Sequence, residues 1–184
     1  AVVGGQSVGV PGALRLLDLV HRRHGKLPWA ELFAPAIALA ETGAPVSPRL
    51  AAALSREMAL PQDVQARAVF YRPDGGLLQA GETLVQKELA ETFRIIAREG
   101  VESFYRGPIA ADIVAKVQGA ARRPGTLSLS DLADYKVVQS EALCGPYRKL
   151  KVCAAPPVSS GGLAILQMLG MLEGFDLAAL KPQS

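Results

Sequence analysis

The chain has 184 residues, 49% of them apolar and 20% charged, an ordinary globular composition that argues against disorder and, by length, for a single domain. The net charge is +3, and no basic block emerges: residues 1–92 carry 9 basic and 9 acidic side chains, and residues 93–184 carry 11 and 8. Together with an aromatic content of only 5%, this excludes a stacking or strongly basic nucleic-acid surface. Leu163–Leu172, the longest nearly apolar stretch, is about half of a membrane span. The opening residues Ala1–Gln6 include no initiator methionine, and the chain stops abruptly at Lys181–Ser184. An internal piece of a longer protein is therefore expected.

Helical punctuation runs along the first two-thirds. Pro11 sits where a first helical residue would, Leu14, Leu17 and His21 recur at helical spacing, and Gly25 suits a left-handed exit. Pro28 opens a second helix with Ala34, Ile37 and Ala38 that stops at Gly43. Ser47-Pro48 reads as an N-cap and first-turn proline for a helix through Leu54 and Met58. Val69-Phe70-Tyr71 then has strand chemistry, and Pro73-Asp74-Gly75-Gly76 is a turn before Leu77-Leu78, so a hairpin or an irregular excursion is expected. Val85, Leu89, Phe93 and Ile96 share a helix face that ends at Gly100. Ile109, Ile113 and Val117 share another, and Ser128 with Asp131 resembles a capping box.

After Tyr135 the period changes. Val137-Val138 and Leu150-Lys151-Val152 flank Gly145-Pro146-Tyr147-Arg148, which predicts two antiparallel strands with the turn at 145–148. Pro156-Pro157 ends the second strand, and Ser159-Ser160-Gly161-Gly162 leads into a helix apolar nearly all round, to be buried in the parent protein. The expected fold is helix-rich α+β in a single domain over 1–184, mainly helical over 1–135, with strands and a buried helix over 136–184.

Each chemically suggestive cluster has a structural reading beside it. His21 and His24 share a face, yet zinc needs three or four ligands, and cations in a last helical turn favour the helix dipole. Ser159-Ser160-Gly161-Gly162 could hold an anion or supply a nucleophile, or the glycines could simply allow close helix–strand packing. Arg122-Arg123-Pro124-Gly125 fits an anion-docking loop or a mobile exposed one. Glu31, Glu41, Asp131 and Asp134 read as solvated helix residues and caps. A turn at 145–148 sets Cys144 opposite a residue near 149, out of disulfide reach of Cys153, so free thiols are expected.

Four strings taken in order carry a family resemblance. They are Ser7–Gly12 (SVGVPG); Pro73–Gly76 with Ala80–Gln86 and Leu89–Thr92; Phe104–Ala110 (FYRGPIA); and Asp131–Lys136 with Gly145–Arg148 and Pro156–Gly162 (PPVSSGG). Over nearly the whole chain they resemble the large subunit of the gamma-glutamyltransferase (gamma-glutamyltranspeptidase) family, with Val158 where a third proline is common. The resemblance implies part of an αββα N-terminal-nucleophile hydrolase fold, in a precursor that cuts itself into two subunits. The small subunit's N-terminal threonine attacks a gamma-glutamyl amide such as glutathione, and the acyl group passes to water or an amine. Related members act as acylases on other amides. None of Thr42, Thr83, Thr92 and Thr126 matches the nucleophile motif, and Ser159–Gly162 matches the large-subunit string instead. No catalytic, substrate-binding or metal-binding residue carries over, and no cofactor is implied. The implied partners are the nucleophile-bearing small subunit and a gamma-glutamyl substrate, with self-association as an alternative cover for apolar surface. A free-standing helical interaction module is the rival reading. The family points to a periplasmic or secreted parent.

Overall fold

The computed structural model describes residues 3–180. They form two compact units, one running up to Val137 and the other from Val138 onward.

In the first unit, α1 (Ala13–His24) ends in the cationic run His21-Arg22-Arg23-His24. Gly25 follows with φ −64°, an extended conformation, so the left-handed exit expected there is not used. Its lack of a side chain matters sterically instead, since a Cβ would lie 2.5 Å from the His21 carbonyl oxygen. A 3-10 turn, Trp29–Phe33, precedes α2 (Ala34–Thr42), which stops at Gly43 with φ 96°. The ring series His21, Trp29, Phe33 and Phe93, edge-to-face at its first two contacts and tilted at the third, has centroids 5.3, 5.1 and 6.1 Å apart, and the Trp29 indole N–H donates to the Ile96 carbonyl at 3.2 Å.

Strands β1 (Ala44–Pro45) and β2 (Thr83–Leu84) pair antiparallel, Ala44 with Leu84 and Pro45 with Thr83. Between them, α3 (Pro48–Arg56) is capped by the Ser47 hydroxyl, which accepts from the Leu50 N–H at 3.1 Å. Met58 lies past its end. α4 (Val64–Phe70) corrects the strand expected at Val69-Phe70-Tyr71. The Asp63 carboxylate accepts from the Ala66 N–H at 2.9 Å, and this cap with Ala66 and Ala68 outweighs the β-propensity of the three residues. Only Tyr71 makes a strand-like bridge, to Leu77 across the expected turn.

α5 (Lys87–Glu99) stops at Gly100, whose φ of 82° allows the left-handed exit. It is followed by α6 (Glu102–Tyr105), α7 (Pro108–Gln118) and α8 (Leu129–Asp134). The capping box of α8 is complete: Ser128 Oγ accepts from the Asp131 N–H, and the Asp131 carboxylate accepts from the Ser128 N–H. Val101, Tyr105, Ala110 and Leu132 are buried together, flanked by Val10, Leu14, Phe104, Ile113, Val114 and Tyr135.

The second unit is a hairpin with one helix. β3 (Leu143–Tyr147) pairs antiparallel with β4 (Leu150–Ala154), and Arg148-Lys149 forms the turn. The expected turn at 145–148 is thus displaced toward the C-terminus, and Val137-Val138 lies outside the strands. A tertiary cause is visible. The Arg148 N–H donates to Glu173 at 3.0 Å and its guanidinium donates to the Phe175 carbonyl at 3.0 Å, which holds Arg148 at φ 52°. The displaced register overturns the free-thiol expectation, because Cys144 now faces Cys153 and the two form a disulfide. α9 (Ser160–Leu172) buries only Gly162 among its residues. Leu163, Ile165, Met168, Met171 and Leu172 are exposed in this chain, Met171 by 67%.

Candidate functional site

Three of the recognition strings meet around one side chain. Tyr105, from the string 104–110, is fully buried, and its hydroxyl donates to the Pro11 carbonyl at 2.6 Å. The same oxygen accepts from the Arg15 N–H at 3.1 Å. Its ring lies parallel to Tyr135, with centroids 6.3 Å apart, and the Arg15 guanidinium sits 4.2 Å from the ring centroid. Gly12 closes the cluster, because a Cβ there would fall 2.2 Å from the Tyr135 hydroxyl. Strings 7–12, 104–110 and 131–136 therefore build one joint.

The electrostatics of this joint are structural. Arg15 pairs with Glu102, and that hydrogen bond holds the Glu102 carboxyl below its ordinary range. Burial pushes the Tyr105 hydroxyl up, so it stays protonated and keeps its donor role.

Beside the joint lies an open cavity of about 450 Å³ whose walls include Gln6, Val8, Val10, Leu127, Asp131 and Tyr135. Asp131 is committed to the cap: the Ser128 hydroxyl holds its carboxyl below the usual aspartate range. Thr126 also lines the cavity and makes no side-chain hydrogen bond among the described residues. No histidine lines it, so the cavity offers shape without a nucleophile–base pair. Sequence reading missed it because its walls come from residues 5–10 and 126–135, distant in the chain and joined only by the fold.

Ser159–Gly162 lies in the second unit. Neither serine side chain caps α9. Gly162 packs against the end of β4, where a Cβ would meet the Ala155 carbonyl oxygen at 2.3 Å, whereas Gly161 faces open space apart from Ser159 Oγ at 3.7 Å. The close-packing reading therefore holds for Gly162 alone. His21 Nε2 lies 2.8 Å from the Leu27 carbonyl oxygen with its ring against Trp29, and no metal-ready group of three or more His, Cys, Asp or Glu occurs among the described residues.

The Arg122–Gly125 segment is exposed but its backbone is tied. The Gln6 N–H donates to the Arg123 carbonyl at 3.0 Å, and the Gly125 N–H donates to the Val117 carbonyl at 3.0 Å, so the segment is anchored at both ends. Glu41 pairs with Arg94, and Glu31 and Asp134 are exposed as expected.

The sequence profile described as gamma-glutamyltranspeptidase matches residues 1–184. The chain belongs to the gamma-glutamyltranspeptidase family. It is 37% identical over 183 residues to a glutathione hydrolase proenzyme of Bacillus subtilis (strain 168), covering 100% of this chain and 30% of the relative. It is also 37% identical to the acylase ACY 1 proenzyme of Pseudomonas sp. (strain V22), covering 97% of this chain and 32% of that one. The crystal structure of Helicobacter pylori gamma-glutamyltranspeptidase overlays with a TM-score of 0.91 at 31% identity, covering all of this chain and 52% of that one. The chain thus spans about 30% of the length of the curated relatives, and its helix-rich α+β fold is that of the corresponding part of a gamma-glutamyltranspeptidase. No helix among the described residues is long and apolar enough to cross a membrane.

Proposed function

We propose that this chain is the large-subunit part of a gamma-glutamyltransferase-like enzyme that cleaves gamma-glutamyl amides and passes the acyl group to water or an amine. The supporting observation is the family match over all 184 residues together with the overlay on a gamma-glutamyltranspeptidase. Its own contribution is scaffold. The Tyr105 joint fixes the helices, and the exposed apolar side chains of α9 offer a surface for the nucleophile-bearing subunit of an αββα sandwich. A second copy of the chain is the alternative cover for that surface.

The chain supplies no attacking group in this reading, because none of its four threonines stands in a nucleophile motif. Purified alone, it releases no aniline from a gamma-glutamyl anilide. Release that disappears in Ser160→Ala would overturn this and make Ser160 a nucleophile. The equal identity to an acylase proenzyme favours a second reading, in which the parent acts on a different amide. A precursor carrying this chain, assayed with gamma-glutamyl and glutaryl amides side by side, separates the two by which amide turns over.

A further inference from the structure

The hairpin of β3 and β4 carries chemistry that the proposed function leaves unused. Side chains alternate across it. One side holds the half-buried Leu143, Gly145, Tyr147, Val152 and Ala154. On the exposed side, Cys144 and Cys153 stand opposite each other as a disulfide with Cα atoms 4.1 Å apart. The next pair on that side is Pro146 with Lys151, and Arg148-Lys149 makes the turn beyond. A shallow recess of about 460 Å³ is walled by Cys144, Pro146, Arg148, Lys149, Leu150 and Lys151, with no carboxylate and without Cys153. The Arg148 guanidinium is engaged by the Phe175 carbonyl, which leaves Lys149 and Lys151 as the cations available to a ligand.

We propose that Cys144–Cys153 is an exchangeable disulfide, and that the cationic recess beside it admits a small thiol bearing carboxylates. An enclosed disulfide resists attack because no thiolate can reach either sulfur, whereas this one lies on the open side of a two-stranded ribbon. The entering thiol loses its proton to solvent. Its thiolate attacks Sγ of Cys144, the cysteine that borders the recess, forming a new S–S bond while the Sγ–Sγ bond breaks. The electron pair leaves on Cys153, one position along the same side from Lys151, whose charge favours the departing thiolate. That thiolate then takes a proton from solvent. A second thiolate attacks the mixed disulfide, releases Cys144 as a thiolate and departs as the oxidised dimer of the small thiol. Two thiols are thereby oxidised and one protein disulfide is reduced.

The test incubates the unreduced chain with glutathione, or with cysteamine as a cationic thiol, at low and high salt, followed by acid quench, intact mass and peptide mapping. One glutathionyl adduct on Cys144 should precede the dithiol. Per thiolate, glutathione should react roughly tenfold faster than cysteamine at low salt, an electrostatic advantage that high salt removes. The double variant Lys149→Gln/Lys151→Gln should keep the disulfide and lose that preference. Free thiols in the unreduced chain, an adduct on Cys153, no exchange, or a preference indifferent to salt and to both lysines would overturn the proposal.

Discussion

At the scale of single residues, Tyr105 shows how one hydroxyl ties three segments. It satisfies the Pro11 carbonyl and the Arg15 N–H at once, inside a site with no exposure. Tyr105→Phe keeps the ring and removes both partners, so it should lower stability by about 1–3 kcal/mol, the penalty for stranded polar groups. Urea melts of the two proteins check this, and equal midpoints would show that water replaces the hydroxyl. The neighbouring glycines of Ser159–Gly162 separate more sharply. Gly162→Ala drives a methyl into the Ala155 carbonyl and should cost about 1–3 kcal/mol. Gly161→Ala meets nothing closer than 3.7 Å and should be neutral or stabilising by up to about 1 kcal/mol. Thermal melts that rank the two variants in the opposite order would contradict the packing described for α9.

Elements divide by where their instructions lie. Ser47, Ser128 with Asp131, Gly43 and Gly100 mark helix ends through bonds and dihedrals within a few residues, and those boundaries are legible in the sequence. Ser47→Ala should therefore cost about 1 kcal/mol by leaving the Leu50 N–H without its side-chain acceptor, while Ser47→Asp restores it. Denaturant midpoints of the pair would decide, and equal loss in both would rule out the cap as the cause. Elements set by distant partners were not legible. The hairpin turn sits at Arg148-Lys149 because Glu173 and Phe175 hold it there, a contact that no window around residue 148 contains. Moving the turn by this small amount changed the opposed residues and turned two expected thiols into a disulfide. The tie between Gln6 and Arg123 and the cavity beside Tyr105 escaped for the same reason. The family strings were legible, yet their shared purpose was not, since strings 7–12, 104–110 and 131–136 meet only in the folded chain.

For the molecule as a whole, the carboxylates of the first unit set its response to acid. Lys116 lowers Asp63, Ser128 lowers Asp131, Arg15 lowers Glu102, and backbone N–H groups of Gly76 and Gln79 lower Asp74 and Glu82. Each binds protons less readily folded than unfolded. Their contribution to stability is fully present above the ordinary values of 3.8 and 4.5 and is lost as pH falls through the lower folded values. Urea midpoints should hold steady near neutrality and decline below about pH 4.5, the upper end of the ordinary carboxyl range. A flat or rising profile on acidification would contradict these pairings.

The crossing of Gly5 and Gly125 has a consequence in time. Their backbones touch so closely that a Cβ on Gly125 would lie 2.4 Å from the Gly5 carbonyl oxygen. The opening segment also gives the Pro11 carbonyl to Tyr105. A ribosome adds roughly 5–20 residues each second, so the segment leaves the tunnel on the order of ten seconds before the chain it must dock against exists. During that interval Val8 and Val10 have no native neighbour from the far end of the unit, and the helices between must assemble around a vacancy at their own beginning. Residues 5–10 are thus made well before the chain that fixes their place.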